Sequence, residues 1–315
     1  MTAKVFIDGE AGTTGLQIKA RLEGRRDVSL LHLDDTKRKD TERRRAMLND
    51  ADLVILCLPD DAARHAVTLI DNPQTRVIDA STAHRTAADW TYGFPEYDQA
   101  QRDLIASAKR VTNPGCYAIT SVAILHPLIK AGVIGENWPV TINAISGYSG
   151  GGKSLIAAFE DTTSDNYTEA SFFAYGLTLQ HKHLPEITHW SGLEHAPLFV
   201  PSVGRFAQGM IVQVPLALWS MPASPSPADV HATLAAHYAG QQYVTVAPLD
   251  ETAGMAQLQP EAINGSNELR LYVFGNDNAG QAVVMGLLDN LGKGASGQAV
   301  QNMNIMLNLP ENAGL

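Results

Sequence analysis

Short apolar runs separated by segments with helical spacing dominate the first 115 residues. Strands are predicted over residues 5–8, 28–33, 52–58, 76–80 and 109–112. After the first of these runs, the apolar residues of the segment 16–22 recur at the spacing of one helix face. This alternation of strand and helix is typical of a parallel sheet, because parallel strands need crossover connections.

From about residue 137 onward, strand candidates follow one another with few helices between them. Strands are predicted over 140–146, 198–203, 209–218, 243–248, 268–274 and 282–288, and a helix over 228–238. Consecutive strands without crossover helices favour a mainly antiparallel sheet. The final segment, 294–309, has helical spacing that would let it pack back against the first domain.

The predicted fold class is therefore α/β with two domains. Residues 1–115 with 293–315 are expected to form one domain around a parallel sheet. Residues 116–292 are expected to form an α+β domain with a mainly antiparallel sheet.

A glycine-rich turn joins the first predicted strand to the first predicted helix. Gly9, Gly12 and Gly15 follow a G-x-x-G-x-x-G spacing, with Thr13 and Thr14 inside it. Small residues there would let the backbone approach a pyrophosphate, and the helix amino end would supply N–H donors and positive potential. The strand–turn–helix context predicts a Rossmann-like dinucleotide-binding domain.

The end of the second predicted strand distinguishes NAD from NADP. An acidic residue there holds the ribose hydroxyls of NAD, whereas basic residues accommodate the extra phosphate of NADP. The chain has Asp34 and Asp35, followed by Lys37, Arg38 and Lys39. We favour NADP(H) because of the three cations, although either aspartate could reverse that preference.

The segment 113–117, Asn-Pro-Gly-Cys-Tyr, places a thiol where a short strand turns into a helix. Pro and Gly punctuate the turn, and helical apolar spacing begins at Tyr117. Unpaired N–H groups at a helix amino end favour thiolate over thiol, by roughly one pKa unit. Cys116 is therefore a candidate nucleophile that still needs a basic partner.

Three further motifs could serve such a nucleophile. The loop 146–153 carries Ser149 and Lys153 among four glycines and could cradle an anion. His181 or His183 could supply a base. A metal site is not favoured, because no third ligand stands out beside the two histidines. Arg205 is a further possible binder of phosphate or carboxylate.

Composition and charge narrow the classes of function. The formal charge of −10, with 33 acidic against 23 basic residues, argues against bulk nucleic-acid binding. No apolar run approaches the roughly 18 residues of a membrane helix, and no signal peptide is evident. The two cysteines, Cys57 and Cys116, are too few for a disulfide framework, so a cytoplasmic location is expected. Cys57 lies in an apolar run and reads as core.

These motifs together resemble the N-acetyl-γ-glutamyl-phosphate reductase family, in its shorter type. That family stands within the group of aspartate-semialdehyde and glyceraldehyde-3-phosphate dehydrogenases. The resemblance spans essentially the whole chain, and its signature segments are residues 9–15, 79–85, 92–96, 113–117, 146–153 and 181–186.

The resemblance implies NADPH-dependent reduction of N-acetyl-γ-glutamyl phosphate to N-acetylglutamate semialdehyde, a step of arginine biosynthesis. Cys116 would form a thioester, and His181 or His183 would handle the proton. The segment 116–292 would then be the catalytic and oligomerisation domain, and a homo-oligomer, dimer or tetramer, is expected.

The resemblance also assigns the remaining site residues. The expected cofactor contacts are Gly9, Gly12, Thr13, Thr14, Gly15, Lys37, Arg38, Ser81, Asn276 and Gly294. The expected substrate contacts are Asn113, Ser149, Lys153, Glu186 and Arg205, with Asn113 also a possible oxyanion donor.

Three other functions remain open from sequence. An aspartate-semialdehyde dehydrogenase would share the chemistry and differ in substrate. A cysteine hydrolase or acyltransferase would use the thiol and histidine without a nucleotide. An NADP-binding regulatory protein would not need Cys116 at all.

Overall fold

A computed structural model of the chain describes residues 2–34, 40–221 and 223–315. The chain divides into two compact units. The first unit comprises Met1–Gly115 with Ala295–Leu315, and the second comprises Cys116–Gly294. The predicted phosphate-binding residues Lys37 and Arg38 lie outside the described residues.

The first unit is built on a six-stranded sheet in which every neighbouring pair is parallel. Its strands are β1 (Ala3–Asp8), β2 (Val28–Leu31), β3 (Leu53–Leu56), β4 (Arg76–Asp79), β5 (Thr91–Tyr92) and β6 (Arg110–Thr112). Their order in the sheet is β2-β1-β3-β4-β6-β5. All four residues of β3 are buried, as expected for a strand covered on both faces.

The described residues of this unit form five helices: α1 (Thr13–Leu22), α2 (Thr41–Asp50), α3 (Asp60–Thr68), α4 (Gln101–Ser107) and α10 (Gly297–Met306). Two apolar clusters cover the sheet. Ile18 of α1 and Met303 of α10 pack into one of them with Val5 and Ile55. Leu48 of α2 and Ala63 of α3 pack into the other with Val54.

The second unit has a seven-stranded mixed sheet. Its strands are β7 (Thr141–Gly147), β8 (Phe172–Ala174), β9 (Leu198–Gly204), β10 (Met210–Ala217), β11 (Val244–Val246), β12 (Leu269–Asn276) and β13 (Gln281–Leu288). They are ordered β11-β12-β13-β10-β7-β9-β8. The β11–β12 and β7–β9 pairs are parallel, and the four other pairs are antiparallel.

The helices of the second unit are α5 (Cys116–Lys130), α6 (Gly152–Glu160), α7 (Leu184–Ser191), α8 (Pro227–His237) and α9 (Leu249–Ala253). The helix α5 is buried along almost its whole length. It packs on β13 so closely that a Cβ at Gly286 would overlap the Thr120 side chain.

A proline lies inside α5 without ending it. Pro127 has no N–H to donate to the carbonyl of Ala123, one turn earlier. The Tyr238 hydroxyl, just after α8, donates to that carbonyl instead, at 2.8 Å. The missing helical hydrogen bond is therefore replaced by a tertiary one.

The predicted fold class is confirmed: a Rossmann-like parallel sheet is joined to a mainly antiparallel sheet with helices. Two strands were not predicted, β5 and β8, because two or three residues are too few to show a period. The helix predicted over 294–309 begins as a π-helical turn at Gly292–Ser296 before α10. No helix of the described residues is long and apolar enough to span a bilayer.

Candidate functional site

Glycine is present at three positions of the 9–15 loop for different structural reasons. Gly9 has φ +93°, and a Cβ there would overlap the carbonyl oxygen of Cys57. A Cβ at Gly15 would lie 2.5 Å from the Gly9 carbonyl oxygen. At Gly12 the nearest atom would be 3.4 Å away. Gly9 and Gly15 thus allow the loop to pack closely on the protein, and Gly12 leaves the outer side of the loop without a side chain.

The amino end of α1 follows this loop. Gly12 is its N-cap residue, and its first turn, from Thr13 and Thr14, holds no acidic residue. The loop leaves β1, which lies between β2 and β3, where the strand order reverses direction. Ligands of such sheets bind outside the carboxyl ends of the strands at that reversal. The amino end of α1 thus lies at the place where such sheets bind their ligands.

Ser81 follows the carboxyl end of β4. Both its N–H and its hydroxyl donate to the buried carboxylate of Asp79, at 2.9 and 2.8 Å. His84 Nδ1 lies 2.6 Å from the same carboxylate, and its ring stacks on Trp90 at 4.2 Å. The hydroxyl proton of Ser81 is therefore used inside the protein, and its oxygen already accepts the Ala83 N–H at 3.1 Å, which leaves room for one further hydrogen bond to that oxygen.

Charged residues around β1 and β2 are extensively paired. Arg44 of α2 forms a two-point ion pair with the buried Asp8, with its shorter contact 2.6 Å. Glu10 pairs with Lys19 at 2.5 Å and with His32 at 3.2 Å. Asp34 is exposed three residues after β2. Arg44, a member of the basic run at 43–45, is therefore engaged with Asp8.

The side chain of Asn113 is fully internal. Its Nδ2 donates to the Ala295 carbonyl at 3.0 Å, and its Oδ1 accepts from Asn302 of α10 at 3.2 Å. Asn302 and Gln298 also donate to the Gly93 carbonyl, at 2.9 and 2.8 Å. The amide of Asn113 thus fastens the segment before Cys116 to α10, a contact that the sequence does not reveal.

Cys116 is the first residue of α5 and is half-buried. The structure therefore places the thiol at the amino end of a helix. Gly294 lies directly against it, since a Cβ at Gly294 would be 2.8 Å from the Cys116 Cβ. Gly294, predicted on the cofactor side, thus adjoins the candidate nucleophile.

Two tyrosines connect the histidine segment to the beginning of α5. The Tyr175 hydroxyl donates to the Tyr117 hydroxyl at 3.3 Å and lies 3.5 Å from His181 Nε2. Burial raises the pKa of Tyr175 to about 12, and the neighbouring Cys116 adds to the rise. Burial, Tyr175 and Cys116 likewise raise the pKa of Tyr117 well above its usual value. Both phenols therefore stay protonated, and sequence reasoning missed Tyr175.

The two histidines have different surroundings. His181 is half-buried, and its Nδ1 accepts the main-chain N–H of His183 at 3.1 Å. His183 is 5% exposed and is the N-cap residue of α7, with its ring 4.8 Å from that of His181. Glu186 is 1% exposed in the first turn of α7. The Tyr117 ring lies edge-on to both histidines, 5.8 Å from His181 and 5.9 Å from His183, so the contact with the Tyr175 hydroxyl is what distinguishes His181.

The glycine-rich loop after β7 forms a short 3₁₀ helix, Tyr148–Gly151, and then the beginning of α6. Ser149 is buried and Lys153 is exposed in the first turn of α6, which contains no acidic residue. The Ser149 hydroxyl oxygen accepts Nδ2–H of Asn290 at 3.0 Å. The loop therefore combines a buried hydroxyl, a helix amino end and a cation.

Arg205 adjoins the loop after β7, because the main-chain N–H groups of Tyr148 and Ser149 donate to the carbonyls of Phe206 and Ala207, but Asn276 lies away from the candidate site. The Arg205 guanidinium donates to the carbonyls of Phe159, Thr168 and Ala170. Asn276 caps a 3₁₀ turn at the β12–β13 connection. It pairs with Gln281, whereas Leu288, beside Gly294, is at the other end of the same hairpin. The eight-residue strands separate Asn276 from Cys116 by roughly 20 Å.

Cys57 lies at the carboxyl end of the first unit's sheet, directly after β3, where it packs against the core and is half-buried like Cys116 rather than fully in the core as predicted. Burial, with the charges of Asp79 and Asp8, raises the pKa of its thiol to about 12. Among the described residues, no group of three or more His, Cys, Asp or Glu could hold a metal ion.

Comparisons with known families identify both parts of the chain. Residues 4–105 match the family model described as semialdehyde dehydrogenase, NAD binding domain, and residues 116–290 match semialdehyde dehydrogenase, dimerisation domain. The fold is also that of solved semialdehyde dehydrogenases. Aspartate semialdehyde dehydrogenase II of Vibrio cholerae has a TM-score of 0.71 at 14% identity, over 98% of this chain and 99% of that one. A Candida albicans aspartate semialdehyde dehydrogenase with NADP has a TM-score of 0.66 at 15% identity, over 97% and 98%.

The fold and site thus define an oxidoreductase of the semialdehyde dehydrogenase type with a nicotinamide-nucleotide-binding domain. Relatives of higher identity specify the family. N-acetyl-gamma-glutamyl-phosphate reductases of Nostoc sp. and Chelativorans sp. are 50% and 54% identical, over 99% and 98% of this chain and 99% of each relative. That of Rhizobium meliloti is 51% identical over 98% and 99%. The chain belongs to the N-acetyl-gamma-glutamyl-phosphate reductase family, as its motifs predicted.

Proposed function

We propose that this protein reduces N-acetyl-γ-glutamyl phosphate to N-acetylglutamate semialdehyde with NADPH, through a thioester on Cys116. The observation that carries the proposal is the position of Cys116. It begins the buried helix α5, beside the tyrosines that lead to His181, in a chain about half identical to reductases of that name. The reaction would serve arginine biosynthesis, as the family resemblance implies. The two free cysteines favour the cytoplasm as its location.

The first unit would hold NADP(H). Gly12, Thr13 and Thr14 fit a pyrophosphate, because the loop is slender at Gly12 and the α1 amino end has no acidic residue in its first turn. Gly9 and Gly15 would act by shaping the loop, and Ser81 by accepting a hydrogen bond. The cations at 37–39 support the phosphorylated cofactor, as does the similarity in fold to the Candida albicans enzyme that was solved with NADP. When bound, the cofactor would supply the hydride.

Cys116 would attack the acyl carbon of the substrate. A bond forms between Sγ and that carbon, the bond to the phosphate oxygen breaks, and phosphate leaves. The amino end of α5 stabilises the negative charge on sulfur before attack. Once the carbonyl carbon of the thioester had been reduced, the bond between that carbon and Sγ would break, which would release the aldehyde and restore the Cys116 thiolate.

His181 would donate a proton to the oxygen of the tetrahedral species at the thioester carbon as that species forms, and would remove the proton as the species breaks down. Its Nδ1 accepts the His183 N–H, so the ring proton of neutral His181 is on Nε2, which would exchange its long contact with the Tyr175 hydroxyl for the substrate oxygen. Until the substrate binds, Tyr175 would orient the ring through its 3.5 Å contact with Nε2. The role of His183 would be to fix this orientation through its backbone while its own ring stays buried.

The anionic groups of the substrate would be held by the loop after β7. Ser149 and Lys153 are the residues with the best support, because they combine a hydroxyl, a cation and the α6 amino end. Asn113, Glu186 and Arg205 would contribute indirectly. Asn113 and Arg205 bond to main-chain carbonyls, and Glu186 is buried in α7. The second unit would also form a dimer or tetramer, as the match to a dimerisation domain suggests.

The reverse reaction tests this function. The protein is mixed with N-acetylglutamate semialdehyde and NADP⁺, and NADPH absorbance is followed with and without phosphate. We expect NADPH to form only with phosphate, and much more slowly with aspartate semialdehyde. Phosphate-independent NADPH formation would instead indicate a non-phosphorylating aldehyde dehydrogenase, and a preference for aspartate semialdehyde would give the alternative substrate.

The Cys116→Ser variant separates the enzyme from a nucleotide-binding regulator. Turnover should fall by several orders of magnitude while NADPH affinity, followed by fluorescence titration, changes little. Retained turnover in this variant would exclude the thioester mechanism. Failure of the unaltered protein to bind NADPH would favour a cysteine hydrolase or acyltransferase.

A further inference from the structure

The side chain of Asn290, two residues after β13, bridges two loops of the second unit. Its Oδ1 accepts the main-chain N–H of Gly209 at 2.7 Å, and its Nδ2 donates to Ser149 Oγ at 3.0 Å. Asn290 is 2% exposed and Ser149 is 7% exposed. Both hydrogen bonds are therefore shielded from water.

The direction of these bonds follows from their chemistry. A main-chain N–H can only donate, so the atom of Asn290 that faces Gly209 is the carbonyl oxygen. The amide nitrogen must then face Ser149, and it can only donate. The Ser149 oxygen accepts this bond, which leaves its own hydroxyl proton to be donated elsewhere. In the described part of the chain, no acceptor of that proton is found.

Asn290 is itself held rigidly by its neighbour. The Asp289 carboxylate accepts the N–H of Leu291 at 2.9 Å, the N–H of Gly265 at 2.8 Å and Nε2–H of Gln208 at 2.5 Å. These bonds fix the turn that carries Asn290. The amide therefore has one orientation, and the Ser149 hydroxyl inherits its direction from it.

We infer that Asn290 is a positioning residue that directs the Ser149 hydroxyl proton toward an oxyanion of the substrate, either the transferred phosphate or the carboxylate. The inference rests on the proposed function, which supplies the anion. A hydroxyl already oriented as a donor binds an anion without first breaking an internal bond. Without Asn290, the Ser149 hydroxyl could rotate, and its proton would no longer be directed toward the anion before binding.

The Asn290→Asp variant tests the direction of the bond. Aspartate has nearly the shape of asparagine and still accepts the Gly209 N–H, but its second oxygen would accept the Ser149 hydroxyl and turn the proton inward. Asn290→Ala, a neutral variant, removes the bond without adding charge. Each Asn290 variant is made both in the natural chain and in the Ser149→Ala variant, and thermal melting checks that each protein folds.

The readout is KM in the reverse reaction, with phosphate and semialdehyde each varied at saturating levels of the other substrates. We expect Ser149→Ala and Asn290→Asp each to raise one of these KM values about tenfold to hundredfold, the loss for a hydrogen bond to a charged group. The KM that moves identifies the anion as phosphate or carboxylate. In the Ser149→Ala background, either Asn290 variant should change that KM by less than about twofold.

Equal effects of Asn290→Asp with and without Ser149 would overturn the inference, because the new charge would then act directly. Unchanged KM values in both Asn290 variants would also overturn it. If Asn290→Asp does not fold, the comparison of Asn290→Ala with and without Ser149→Ala tests the same inference. A natural chain with no phosphate-dependent reverse reaction would instead refute the proposed function, so the two failures are distinguishable.

Discussion

Burial and the charges of Asp79 and Asp8 raise the pKa of Cys57 to about 12, while Cys116 stands at a helix amino end. At pH 8, a thiol with that pKa is ionised in roughly one molecule in ten thousand. Because only the thiolate reacts, iodoacetamide should modify Cys116 and leave Cys57 intact in the folded protein. Peptide mass mapping after labelling measures both sites.

Two controls define this labelling experiment. The folded Cys116→Ser variant should take up no label, and denaturant should make its Cys57 reactive. Comparable labelling of both cysteines in the native protein would contradict the environment described for Cys57.

Gly294 offers a second prediction at the residue scale. A methyl group there would lie 2.8 Å from the Cys116 Cβ and 3.2 Å from Leu288 Cδ1. Gly294→Ala should therefore displace the thiol and lower kcat about tenfold to hundredfold, since small misplacements of a reacting group are costly. Initial rates of the reverse reaction test this.

Gly254→Ala is the matched control for Gly294→Ala. A Cβ at Gly254 has its nearest neighbour at 3.8 Å, and its φ of −92° suits alanine. Unaltered kcat and alkylation rate in Gly294→Ala would show that the site tolerates the methyl group.

Some of the candidate site could be predicted residue by residue, and some could not. The placement of Cys116 at a helix start follows from a local signal, Pro-Gly before helical spacing. Asn113, Asn276 and Tyr175 illustrate the limit. The partners of Asn113 are near residue 300, the hairpin end that carries Asn276 depends on strand direction, and Tyr175 lies in a loop without a period.

At the scale of elements, the hydrogen bond that replaces the one lost at Pro127 stabilises α5. Tyr238 is 4% exposed, and its hydroxyl serves the Ala123 carbonyl inside the helix that begins with Cys116. Tyr238→Phe leaves this carbonyl buried and without that donor, which should cost about 1–3 kcal/mol of stability. Denaturant-induced unfolding, followed by circular dichroism, measures the change.

Tyr148→Phe serves as the control for Tyr238→Phe. It removes a hydroxyl bound to Glu160 at 2.8 Å in an exposed pair, so its effect should stay below about 0.5 kcal/mol. Equal stability of the two variants would mean that water reaches the Ala123 carbonyl.

The elements themselves were largely predictable, because buried strands and amphipathic helices impose periods on the sequence. These periods do not show which strands pair with one another or whether a pair is parallel. The parallel β7–β9 and β11–β12 pairs interrupt an otherwise antiparallel sheet, and no local pattern distinguishes them from their neighbours. The helix α10 was predicted from its spacing, but the burial of its polar side chains was not. Gln298, Gln301, Asn302 and Asn304 of α10 are polar and fully buried, so they give that helix no polar outer face.

At the scale of the whole molecule, the first unit is assembled from both ends of the chain. Ala299, Val300, Met303, Ile305 and Met306 of α10 lie in the apolar cluster that covers one face of the parallel sheet. The Arg76 guanidinium of β4 also donates to the Met306 carbonyl and to three carbonyls at the end of α4. The final residues thus complete the core of a sheet whose strands all come from the first 112.

A chain that ends at residue 294 should therefore lose its first unit. Burial of each large apolar side chain stabilises a fold by about 1.5–3 kcal/mol. The loss of three or four such side chains is therefore comparable to the whole net stability of a domain, about 5–15 kcal/mol. We expect this truncated chain to bind no NADPH in a fluorescence titration and to be cleaved within residues 1–115 by limited proteolysis. Met303→Ala in the full chain is the milder counterpart, with an expected loss of about 2–5 kcal/mol. Undiminished NADPH binding by the truncated chain would mean that the first 115 residues hold their sheet without α10, despite the apolar face that its removal exposes.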